Sequence, residues 1–134
     1  MGRYYRGDIE GKFWFAVQSS DCAVRFGAME SEPSEIEYWF GEDEEAIKTV
    51  KDEIKVIKEN IGHDVLKVLE KFFKENNGYN DKMLLEYLNK SIENKTFIEQ
   101  DLRYLLHEFA DLRFGKQVLK QLETHGHCYF HAEI

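Results

Sequence analysis

The chain has 134 residues, 43% of them hydrophobic and 14% aromatic, with one proline, which is enough to bury a core as a single domain and too apolar for a disordered chain. Its formal net charge of −8 argues against attraction to nucleic acid or to an anionic lipid surface through bulk charge. No apolar run of about 18 residues is present to span a membrane. Cys22 and Cys128 lie far apart, and the opening MGRYYRGD lacks the apolar stretch of a secretory signal, so the expectation is a cytoplasmic protein with free thiols.

Two segments rich in aromatic and β-branched residues, Tyr4 to Ile9 and Lys12 to Gln18, flank Glu10 and Gly11 and predict a β-hairpin. In the second segment Phe13, Phe15 and Val17 share one face and Trp14, Ala16 and Gln18 the other, the pattern of a central strand. Ser19 to Gly27 predicts one or two helical turns or a structured loop. Ala28 to Ser34 reads as an exposed connection, and Glu35 to Phe40, with Ile36, Tyr38 and Phe40 alternating, as a third strand.

After Gly41 the apolar period lengthens. Ile47, Val50, Ile54, Ile57 and Ile61 step by three and four, predicting a helix from Asp43 to Asn60 whose narrow seam serves either the core or a contact between two copies in a homodimer. Gly62 can close that helix and Asp64 can start another, carrying Val65 to Phe73; a single kinked helix is the alternative. Asn80 or Asp81 can cap a short helix holding Met83 to Leu88. A last helical region spans Phe97 to Thr124, with Gly115 as a place to bend. From His127 to Ile134 apolar and polar residues alternate, a strand that returns to the N-terminal sheet. The fold class is therefore α+β: an antiparallel sheet of about four strands with three to five helices on one face.

The charge is concentrated. Between Glu30 and Glu53 ten acidic residues face two lysines, a local sum of −8, while the other 110 residues cancel. Carboxylates at Glu42, Asp43, Glu44 and Glu45 suit the N-terminal turn of a helix. Glu30, Glu32, Glu35 and Glu37 precede it and can present a row of negative charge to a basic surface on a partner protein. A second constellation joins Arg3, Arg6 and Arg25 to Trp14 and neighbouring aromatics, a combination suited to a phosphorylated or nucleotide ligand. The plainer reading makes the aromatics core and the arginines partners of Asp8 and Glu10.

No catalytic motif of a hydrolase, kinase or dinucleotide enzyme occurs, so catalytic residues and cofactors are expected to be none. The terminal HGHCYFH does not make a zinc site: on a strand His127 and His131 lie roughly 13 Å apart, and Cys128 points to the other face.

The block GRYYRGDIEGKFWFAVQSSD resembles openings of small viral and phage-derived proteins, over about the first 27 residues, with a weaker echo in HCYFHAEI. The resemblance implies a virus-encoded protein acting in the host cytoplasm by tight binding to a host factor. The leading expectation is thus a non-enzymatic inhibitor that uses its acidic surface. A sequestering protein for a small phosphorylated ligand is the alternative, and a small hydrolase or other enzyme stands third.

Overall fold

The computed structural model describes residues 3–14, 16–30, 36–41 and 44–132, without the side chains of residues 30, 36 and 37. Along the chain lie β1 (Tyr4–Gly7), β2 (Gly11–Lys12), α1 (Cys22–Arg25), β3 (Met29–Glu30), β4 (Ile36–Phe40), α2 (Glu44–Ile61), α3 (His63–Glu75), α4 (Asp81–Ser91), α5 (Glu99–His125) and β5 (Cys128–Ala132). The fold is α+β. The strands form one antiparallel sheet in the order β2-β1-β5-β4-β3.

The returning strand β5 lies in the middle of that sheet. Tyr5 pairs with Ala132 on one side, and Ile36 pairs with the same residue on the other. Alternation along β5 turns Cys128, Phe130 and Ala132 into the core, where Phe130 meets Tyr5, Tyr38 and Phe114. Tyr4 and Tyr129 are exposed on the opposite face, while α5 packs on the inner one.

The second segment of the expected hairpin is short, and it lies at the edge of the sheet. Its ladder stops at Lys12, followed by one bond from the Phe13 amide to the Arg3 carbonyl. The chain then turns: the amides of Val17 and Gln18 both donate to the Trp14 carbonyl, and Ala16 takes a left-handed φ of 62°. The apolar residues of this stretch, which suggested a buried strand, serve two different aromatic groups. Phe13 packs with Tyr5 and Phe114, and Trp14 with Phe73, Tyr79 and Phe109. Phe15 lies outside the described residues. Within the expected exposed connection, Met29 and Glu30 form the edge strand β3.

Helices follow the apolar periodicity. Val50, Ile54, Ile57 and Ile61 of α2 are buried in the core, so the isoleucine seam is turned inward rather than offered to a second copy. Gly62, with φ of 90°, separates α2 from α3, a conformation that side chains bearing a Cβ rarely take. The Asn80 side chain accepts from the Met83 amide and caps α4. Across Gly115 α5 continues as one helix; a Cβ there would stand 2.5 Å from the Phe26 ring, so this glycine admits an aromatic side chain against the helix rather than a bend. No helix among the described residues is long and apolar enough to cross a membrane.

Deleting Cys128 to Ile134 would remove the strand that joins the two halves of the sheet and expose the facing edges of β1 and β4. The truncated protein is expected to be insoluble or to lack a cooperative melt, measured by near-UV circular dichroism during heating.

Candidate functional site

A buried polar network joins α1, α2 and α5. Glu108 and Asp111 sit on the inner side of α5 with 3% and 1% of their surface exposed, a placement that carboxylates tolerate only when paired. Arg25 supplies the pairing. Its Nη2 donates to Glu108 Oε1 at 3.0 Å, its Nη1 to Asp111 Oδ2 at 3.0 Å and also to Glu108 Oε2, and its Nε to Glu53 Oε1 at 2.7 Å. Asn60 adds a bond to Glu108 at 2.8 Å, and Gln18 Nε2 donates to Asp111 Oδ1 at 3.0 Å.

The charges respond to these contacts. Hydrogen bonding to Glu108, together with its bonds to Glu53 and Asp111, holds the Arg25 guanidinium more firmly protonated than usual, against the opposing effect of burial. Burial pulls Glu108 upward, but the bonds from Arg25 and Asn60 outweigh it and leave this carboxyl below its ordinary range. Burial dominates at Asp111, which stays raised in spite of Gln18 and Arg25. Burial also keeps the Cys22 thiol strongly protonated, reinforced by the charge of Asp111. His107, Glu108 and Asp111 bring ligand atoms within 4.8 Å of one another, a set the sequence reading did not find. Both of its carboxylates already hold the guanidinium, so a cation would have to displace Arg25, and the group reads as an ion-pair network.

Beside it lies a cavity of about 590 Å³ between the β1–β2 hairpin and α5, within the size range of small-molecule sites. Tyr5, Phe13, Trp14 and Phe114 supply aromatic walls, and Gln18 and Gln117 supply amides. The Tyr5 hydroxyl donates to Gln117 Oε1 at 2.7 Å, and Gln117 Nε2 donates to the Glu10 carbonyl at 2.8 Å, which fixes the hairpin to the helix. Burial pushes the Tyr5 phenol up to about 12. Arg113 lines the cavity too, exposed and outside any ion pair among the described residues, its guanidinium 5.8 Å from the Phe109 ring centre; Lys12 stands at the rim, its ammonium 5.8 Å from the ring centre of Tyr4 on the outer face of the sheet.

This arrangement reassigns the expected cationic residues. Trp14 lines the cavity and Arg6 an adjoining depression of about 500 Å³. Arg3 lines neither: it donates to the Gln18 carbonyl and lies 5.7 Å from the Phe13 ring centre. Arg25 is committed to three carboxylates on other helices. Arg113, from the far part of the sequence, takes the place expected for it, and only the topology brings that residue to the hairpin. Asp8 is engaged by the Tyr129 amide and by His127 at 2.9 Å, on the face opposite the buried Cys128.

Of the acidic residues, Glu32, Glu35, Glu42 and Asp43 lie outside the described residues, as do the side chains of Glu30 and Glu37. Glu44 and Glu45 open α2, exposed and in no ion pair among the described residues. No protein-family model, no curated protein and no solved structure matches the chain.

Replacing Arg25 with Met would leave Glu108 and Asp111 buried without a counter-charge. The expected loss is about 3 kcal/mol at neutral pH, toward the lower end for such pairs, because the Arg25 side chain keeps 25% exposure. In the variant neither carboxyl is held down by the guanidinium, so both titrate in the folded state above their unfolded values. Protonation then relieves the penalty as pH falls, and the stability gap from the parent should narrow between about pH 7 and pH 5. Urea unfolding at the two pH values measures it; a gap that widens on acidification would contradict this account.

Proposed function

We propose that the protein is a non-enzymatic binding protein that takes a small ligand with an aromatic ring and an anionic group, a nucleotide being the simplest example, into the cavity between the hairpin and α5. The observation that carries this reading is the pairing of aromatic walls with Arg113 in one concave site, where that guanidinium lacks a carboxylate partner among the described residues. A guanidinium suits a phosphate through two parallel hydrogen bonds, while Trp14 and the side-chain amides suit a heteroaromatic ring. The groups at hand favour binding over chemistry. Tyr5 is held neutral and is already hydrogen-bonded, and the nearby Cys22 thiol is held protonated, so neither is poised as a nucleophile.

A second reading keeps the acidic segment as a docking surface for a basic patch on a partner protein, including the inhibitory role that the resemblance implies. It is favoured by the local −8 from Glu30 to Glu53 and by the exposed Glu44 and Glu45.

One titration separates the two. In a Trp39→Phe background, Trp14 is the remaining tryptophan, and its fluorescence should be quenched by a nucleoside monophosphate. Arg113→Ala should weaken that binding about tenfold, the scale of one charged hydrogen bond. Conversion of Glu30, Glu32, Glu35 and Glu37 to Gln should leave it unchanged, and should instead slow association with a basic protein partner and flatten its salt dependence. Saturating quench without any effect of Arg113→Ala would remove the anionic half of the proposal.

A further inference from the structure

The central cavity is one of three depressions that succeed one another along α5. A depression of about 270 Å³ shares Arg113 with it, and one of about 370 Å³ on the other side shares Glu10 and Gln117. Together they follow α5 from Phe109 to His125, a run of about 24 Å at the rise of an α-helix. Four cations line the run, Lys74, Arg113, Lys116 and Lys120, and a fifth, Lys12, stands at its rim with its ammonium over the Tyr4 ring. All five are exposed and none is in an ion pair among the described residues. Three carboxylates accompany them, Asp8, Glu10 and Glu70, of which Asp8 is turned to His127 and the Tyr129 amide. In a chain of net charge −8 this is a local excess of positive charge, extended rather than pointlike, with an aromatic-walled cavity at its middle.

We infer that this groove binds single-stranded nucleic acid, about four nucleotides long, with one base in the central cavity and the flanking phosphates against Lys74 and Lys116 on one side and Lys120 on the other. The inference rests on the ligand reading given above and extends it from one nucleotide to a strand. A positive groove with aromatic surface is the combination that single-strand binders use, and a four-nucleotide footprint is at the short end of their site sizes. An acidic peptide would satisfy the lysines but leave the aromatic cavity unused. The net negative charge does not oppose this. The strand part of the acidic segment belongs to β3 and β4, whereas the groove borders β2 and β1 at the other edge of the sheet. The separation runs from two strand spacings, β1 to β4, to four, β2 to β3, about 9 to 19 Å, against a Debye length of about 8 Å at physiological ionic strength.

Fluorescence anisotropy with labelled oligothymidylates and oligouridylates of two to eight nucleotides tests this, beside the Trp14 titration with the mononucleotide. Affinity should rise with length up to about four nucleotides and then level. Between 50 and 200 mM salt it should fall about 20-fold if three phosphates are neutralised. The triple variant Lys74→Ala, Lys116→Ala, Lys120→Ala alters exposed side chains only, which an unchanged thermal melt verifies. It should weaken the octanucleotide at least tenfold while leaving the mononucleotide affinity as it was. A tetranucleotide that binds no more tightly than the mononucleotide, or a triple variant that binds the octanucleotide like the parent, would overturn the strand proposal and leave the single-ligand reading intact. Lysine-dependent strand binding without mononucleotide binding would support the groove and defeat the cavity reading. Equal affinity for an oligoglutamate of matched charge would overturn the nucleic-acid assignment in favour of an acidic peptide.

Discussion

Arg25 stands between Glu53, Glu108 and Asp111, and the order of the surrounding backbone follows from that contact. The helix that carries it, α1, has four residues, too few to persist on hydrogen bonds of its own. It is held at its C-terminal end: Arg25 is bound by carboxylates on α2 and α5, and the next residue, Phe26, lies fully buried against Gly115. The same Asp111 that accepts from Arg25 accepts from Gln18, and Gln18 Oε1 in turn receives the Trp14 amide at 3.1 Å. A path of polar contacts thus runs from the ion-pair network to the wall of the cavity. Buried ion pairs contribute little net stability compared with apolar packing but exclude arrangements that would leave a charge unmatched, and this one specifies where the irregular segment from Phe13 to Ala28 must lie.

Much of the architecture was legible because its signals are local. The step of three and four from Ile47 to Ile61 reports a buried helix face regardless of what covers it, and Asn80 marks its helix start through one side-chain bond. The alternation of β5 is equally local, though its place in the middle of the sheet is not. Where the reading went astray, composition stood in for geometry. Phe13 to Gln18 has the residues of a strand, yet the chain turns after Trp14, with Ala16 in a left-handed conformation, and the ladder ends at Lys12.

The functional residues were harder to find, for reasons visible in their positions. Glu108 and Asp111 carried a usable signal: both fall among Leu105, Phe109 and Leu112 on the buried side of α5, where a carboxylate requires a counter-charge. The partner could not be read, since Arg25 belongs to a short segment remote in sequence. Arg113 lies between Leu112 and Phe114 on α5, and nothing local relates it to the hairpin. Clustering arginines by sequence proximity therefore grouped Arg3, Arg6 and Arg25, which the fold disperses to a backbone carbonyl, an adjoining depression and an ion-pair network.

The central position of β5 has a bearing on how the protein is made. Tyr5 and Ile36 both find their sheet partner in Ala132, so β1 and β4 have no common neighbour until the ribosome has synthesised all five helices and the strand beyond them. During that interval the nascent chain carries two separate strand pairs, each with an uncovered edge. Contacts of such high sequence separation form slowly because the intervening loop must first be closed. Helix packing of α2 against α5 shortens that search by bringing the end of α5, and β5 with it, back toward the waiting strands. The sheet is therefore completed last, when β5 enters between β1 and β4.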